Sequence, residues 1–164
     1  MRPARLLIAL AAGAWFALVT SPVAAAPLPA PVHGHIDYGP VAFDDNQVCA
    51  TEGFTVHAVL AYTIDYTLFS NPDGSLREII AHQHQVVTLS ANGKTLNEND
   101  HWSSFIYPDG HVVIVGADAN IRGDHGMVLH DAGRLVIDPD GSVVFQAGKH
   151  PQLFGGTFCA GLLP

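Results

Sequence analysis

Five short turns rich in Asn, Asp, Pro and Gly cut the chain into gaps that each hold one β-strand. They read Asn71-Pro72-Asp73-Gly74, Asn92-Gly93, Pro108-Asp109-Gly110, Gly123-Asp124-His125-Gly126 and Pro139-Asp140-Gly141. Proline presets the φ of a turn's second residue, Asx side chains bond their own backbone, and Gly takes the positive φ that closes a hairpin. The runs between turns are rich in Val, Ile, Thr, Tyr and Phe, which predicts an antiparallel meander. Residues 54–69 give the clearest strand: each even position from Phe54 to Leu68 is apolar or aromatic, while the odd positions are mixed. Period two over that length turns one face to a core. Further strands are expected at 76–89, 95–107, 111–121, 127–137 and 142–148, with an earlier one near 36–43 and a last one near 154–159. Six to eight such strands predict an all-β fold. A single up-and-down β-barrel, whose closure removes exposed edges, is the expected form, with a two-sheet sandwich as the alternative.

The N-terminus has the grammar of a secretory signal: Arg2 and Arg5, an apolar run from Leu6 to Val19, then the small residues Val23-Ala24-Ala25. The run falls short of the ~20 residues a membrane span needs, so cleavage after Ala25 and export are expected. Residues 26–35 then read as a Pro/Ala-rich tether and 36–164 as the β domain. Without residues 1–25 the chain keeps five Lys/Arg against fifteen Asp/Glu, a formal charge of −10 with neutral His. That balance argues against nucleic acid and anionic membrane surfaces as partners. Cys49 and Cys159 lie near the two ends of the β domain. In an exported chain an isolated pair predicts one disulfide.

Turn chemistry also predicts strand register. A three-residue hairpin at Asn71–Ser75 sets Ile64 opposite His82 and Tyr62 opposite His84. A two-residue hairpin at Asn92-Gly93 sets His84 opposite His101 and His82 opposite Ser103, and the next turn sets His101 opposite Ala117. The same rule brings His130 opposite His150. One inward patch of Tyr62, Tyr66, His82, His84, His101 and Ser103 is therefore expected, with Glu78 near it. A slip of one residue would turn each strand's side chains to the other face.

Three readings of the patch stay open. Imidazoles and phenols among apolar neighbours suit a cavity for a small apolar or amphiphilic molecule. His82, His84 and His101 also have the make-up of a mononuclear Zn or Cu site, which would suit a metal- or His-assisted cyclase or hydrolase. The third reading is an extracellular structural or interaction domain with no internal site. The metal strand of cupins has a similar His-x-His, but the carboxylate and second motif expected beside it are missing. Asp124-His125 and His130-Asp131 are neighbours on strands or turns and so point apart. Arg122-Gly123-Asp124 on a turn spells an integrin-type tripeptide that loop composition alone produces.

The stretch from Gly126-Met127-Val128-Leu129-His130-Asp131-Ala132-Gly133-Arg134-Leu135-Val136-Ile137-Asp138-Pro139-Asp140-Gly141, with Ala147-Gly148-Lys149-His150-Pro151 and Phe158-Cys159, resembles a family of secreted actinobacterial proteins of uncharacterised function. That resemblance implies an exported single-domain β protein and transfers no catalytic residue. In outline the expected fold is also similar to allene oxide cyclase and lipocalin-type barrels, a likeness of architecture that leaves function open.

Overall fold

A computed structural model describes residues 27–151 and 157–164; residues 1–26, which include the expected signal segment, and residues 152–156 lie outside them. Seven strands follow one another: β1 (Val32–Asp45), β2 (Val56–Ser70), β3 (Leu76–Ala91), β4 (Lys94–Ile106), β5 (Val112–Gly123), β6 (Gly126–Ile137) and β7 (Val143–Lys149). They form one antiparallel sheet in strict sequence order. β1 and β7 are its edges, so among the described residues the sheet is open and the expected closure into a barrel is not present. β1 begins at Val32, so residues 32–35 belong to the sheet and not to the tether. Cys159–Leu162 is a 3₁₀ turn, which removes 159 from the last expected strand, while 154–156 lie outside the described residues.

Three hairpins share one geometry. Asn71, Tyr107 and Asp138 each donate a backbone N–H to the carbonyl four residues on, and Gly74, Gly110 and Gly141 take φ of +84°, +92° and +86°. In each, the turn's Asp accepts the backbone N–H two residues later. Asn92 and Gly93, with φ of 53° and 76°, make the two-residue turn between β3 and β4.

Cross-strand pairing sorts the side chains onto two faces, and every fully buried strand residue lies on the same one. We call it the covered face. Its upper end meets the loop after β1 and the C-terminal turn, joined by the Cys49–Cys159 disulfide across a separation of 110 residues. Cys49, Cys159 and Leu162 pack there with Val56, Leu89, Leu96 and Ile121. Asn92 Nδ2 fastens the turn by donating to the Leu162 carbonyl at 3.0 Å. Among the described residues the lower end and the opposite, open face have no second layer, and β1 and β7 are exposed almost throughout.

Register departs from the turn rule at two hairpins. Ser70 pairs with Leu76 as the turn dictates, but Phe69 pairs with Glu78, leaving Arg77 as an extra residue. From there Ile64 faces Gln83 and Tyr62 faces Gln85, correcting the expected His82 and His84. The physical reason is burial: the slip places Val87 and Leu89, instead of Val86 and Thr88, on the covered face against Leu60 and Ala58. Likewise Ile137 pairs with Val143 but Val136 with Phe145, so His150 comes to Asp131 and not to His130. A further bulge makes Asp118 the extra residue of β5 against β6.

Candidate functional site

The slip between β2 and β3 divides the expected patch. Tyr62 and Tyr66 remain on the covered face, where Tyr62 stacks on Tyr38 with ring centroids 4.8 Å apart. His82, His84, His101 and Ser103 are together on the open face, with the expected pairings His84–His101 and His82–Ser103 present. There His82 Nδ1 lies 2.8 Å from Ser103 Oγ, His84 Nε2 lies 3.1 Å from Asn99 Oδ1, and the His84 and His101 rings stack at 4.1 Å. Two groups among the described residues bring three potential metal-ligating side chains within 4.8 Å of one another, and neither includes His82, His84 or His101. The slip thus leaves the three imidazoles neighbours on a surface instead of the lining of a cavity. Neighbouring rows on that face hold His35 between Asp37 and Asp65, at 3.0 and 2.6 Å. These bonds to Asp65 and Asp37 raise the pKa of His35.

The covered face carries a rung of polar side chains that crosses the sheet. Tyr38, Tyr62, Gln85 and Asp100 are successive cross-strand partners, and Asp131 and His150 continue the row beyond the β5 bulge. Asp100 is fully buried. Its Oδ1 accepts the backbone N–H of Asn120 at 2.6 Å, and its Oδ2 accepts Gln85 Nε2 at 3.4 Å. Glu98, two residues earlier on the same face, shares a hydrogen bond with it. Burial, then that bond and the charge of Asp100, pushes Glu98 up to about 8, so its carboxyl is protonated at neutral pH. Two carboxyls this close cannot both ionise cheaply.

Above this rung the sheet and the covering segment enclose a groove of about 210 Å³. Phe43, Leu60, Val87 and Phe158 give it apolar walls, and Gln85 and Glu98 give it a polar floor. Asp45 lies at the rim, where backbone N–H groups of Gln47 and Val48 hold its carboxyl below the usual range. The volume is smaller than the roughly 300–1,000 Å³ of drug-sized sites. It suits a single ring system or a short stretch of acyl chain.

Farther along the rung, His150 Nδ1 meets Asp131 Oδ1 at 2.6 Å, and His150 Nε2 donates to the Ala147 carbonyl at 3.1 Å. Both residues are almost wholly buried. Burial opposes charge on His150, but the Ala147 carbonyl, Asp131 and Asp118 outweigh it and raise its pKa. Burial, the charge of Asp131 and a hydrogen bond to it push Asp118 up to about 6.

Glu98, Asp100 and Asp118 are not among the residues that the sequence pattern brings together, and Asp131 enters it only beside its neighbour His130. A signal existed. Leu96, Glu98, Asp100 and Trp102 alternate in phase along β4, which marks two acids as sharing a face with a core leucine. No protein family, curated protein or solved structure matches the chain.

Proposed function

We propose that the protein is exported to an oxidising compartment and binds a small, neutral or amine-bearing amphiphile in the covered-face groove. The observation that carries this reading is an apolar trough ending on one protonated carboxyl and one carboxamide. Glu98, whose one acid proton goes to Asp100, offers a guest its acceptor oxygens, and Gln85 offers both a donor and an acceptor. Asp100 beneath and Asp45 at the rim set a negative field that disfavours a carboxylate head group. The apolar body of the guest would lie along Leu60, Val87 and Phe158, and Phe43 on the edge strand would close over it. Export is supported by the buried disulfide and the N-terminal signal pattern.

Titration with a neutral, environment-sensitive apolar dye and with an anionic analogue of the same size tests the reading. The neutral dye should bind one per chain and at least about tenfold more tightly than the anion, a difference near 1.4 kcal/mol. Phe43→Glu, at a half-exposed position that tolerates charge, should abolish binding without altering the circular dichroism spectrum. Saturable binding that survives Phe43→Glu unchanged, or no binding at all, would remove the groove as the site.

A further inference from the structure

The end of the rung has a composition that the groove does not use. Asp118, Asp131 and His150 each present one ligand atom, all within 4.8 Å of one another, and Asp131 and His150 are buried. Local backbone features build this meeting point. The β5 bulge adds Asp118 as an unpaired residue against β6 and so turns its carboxylate toward Asp131. Gly133 on β6 makes room for the imidazole: a Cβ there would sit 2.8 Å from His150 Nε2 and collide with the Ala147 carbonyl oxygen.

The hydrogen bonds fix what the centre can accept. A carbonyl oxygen only accepts, so Nε2 of His150 carries a proton toward Ala147. In the neutral ring that leaves the Nδ1 lone pair aimed at Asp131 Oδ1, 2.6 Å away. Two acceptors at that distance need a cation between them, either a proton or a metal ion. An imidazole whose far nitrogen is anchored to a backbone carbonyl has the supporting bond found behind metal-bound histidines. The independent sign of a missing partner is on Asp118, whose Oδ1 is buried with no hydrogen-bond partner among the described residues.

We propose that Asp118, Asp131 and His150 form a binding site for one divalent transition-metal cation of the Zn²⁺ or Mn²⁺ class. Two carboxylates and one imidazole are a borderline-hard donor set that suits these ions. Metal–ligand bonds of about 2.0–2.2 Å require the Asp131–His150 contact to open slightly, to about 3 Å. The site lies on the same covered face as the groove but toward the other edge of the sheet, on β5, β6 and just past β7, whereas strands β1 to β4 line the groove. It is therefore independent of the amphiphile reading.

Chelator-treated protein titrated with MnCl₂ and followed by electron paramagnetic resonance provides the test, with His82→Ala/His84→Ala/His101→Ala as the background to remove the open-face imidazoles. One saturable Mn²⁺ per chain is expected, with ZnCl₂ competing for it. Asp118→Asn, a same-shape change at a half-buried position, should raise the Kd at least about tenfold. Paramagnetic broadening gives a second readout that needs no core variant: the His150 ring resonances should broaden first at substoichiometric Mn²⁺. Absence of saturable binding, a Kd unchanged by Asp118→Asn, or broadening that begins at other histidines would each overturn the assignment.

Discussion

On the open face His82 and His101 are exposed beside a half-buried His84, whereas on the covered face His150 is 4% exposed and held against Asp131. The open face has more imidazoles, yet they bond separately, His82 to Ser103, His84 to Asn99 and His35 to Asp65, while His101 stacks on His84, and they keep access to water. Along the covered-face rung stand one imidazole and the four acids Glu98, Asp100, Asp118 and Asp131, and there the environment sets protonation: Glu98 and Asp118 are both pushed well above the usual carboxylate range. Local density of ligating side chains is therefore a weaker guide to chemistry than loss of solvent around a few of them. An exposed group settles its hydrogen bonds with water; a buried one must find a partner or change its charge.

The comparison breaks first at the staple. Replacing Cys49 and Cys159 by Ser opens a loop of 110 residues, for which the chain-entropy relation gives about 4–5 kcal/mol. Urea denaturation should show a loss of that order, accompanied by loss of protection at Leu89 and Leu96 but not at the lower hairpins. A loss below about 1 kcal/mol would mean that the covering segment stays seated without its bond. A step smaller, Leu96→Ala should cost about 2–5 kcal/mol because the side chain is 2% exposed in the covered core. Val115→Ala, on the open face at 41% exposure, should change stability by no more than about 0.5 kcal/mol. Similar costs at the two positions would contradict a sheet packed on one side only.

Much of this arrangement was legible from turns. Asn92-Gly93 and Pro108-Asp109-Gly110 determine their hairpins without a bulge beside them, so His84 opposite His101 and His101 opposite Ala117 follow from sequence and are present. Asn71–Ser75 has the same turn hydrogen bonds, yet its register shifts at Arg77, a residue with nothing bulge-like about it in Leu76-Arg77-Glu78. The shift answers to a distant demand, the burial of Val87 and Leu89 ten or more residues away. Turn grammar is local and that demand is not. Weighing which phase of 76–91 places Val87 and Leu89 against Leu60 and Ala58 would have chosen the observed face. The groove was less legible still, since Phe43 and Phe158 reach it from opposite ends of the chain.

Acidity sharpens the contrast further. Glu98 rises from an ordinary 4.5 to about 8, and Asp118 from 3.8 to about 6. Between the unfolded and folded values the native chain holds more protons than the unfolded one, so stability falls as pH rises through those windows. His150, with a raised pKa, adds stability below its unfolded value and loses it as pH climbs. All three covered-face groups therefore make the protein less stable from about pH 4.5 toward 8. Glu98→Gln, which keeps a donor to Asp100, should match the parent near pH 4 and exceed it in thermal midpoint at pH 9. A variant less stable at both values would show Glu98 ionised in the native groove.

The smallest expected effect has the opposite sign and belongs to the hairpins. Asp73 and Asp140 accept bonds from the side chain and backbone of Ser75 and Ser142, and Asp109 accepts the backbone N–H of His111, so all three carboxyls are held below the usual value. A depressed folded pKa gives stability that is present above the unfolded value near 3.8 and lost as pH falls through the folded one. These groups are fully exposed, so the surrounding water screens the contribution of each. Asp140→Asn removes the titrating group but retains an Asx oxygen for the Ser142 N–H, and should flatten the thermal midpoint only below the unfolded value near 3.8. The curve from pH 5 to 9 should superimpose on the parent, because the groups that shape that limb lie on the covered face and not in the turns. A change in the neutral or alkaline limb would couple the β6–β7 hairpin to His150 through the register shift at Val143–Phe145, and the two acid populations could no longer be treated as separate.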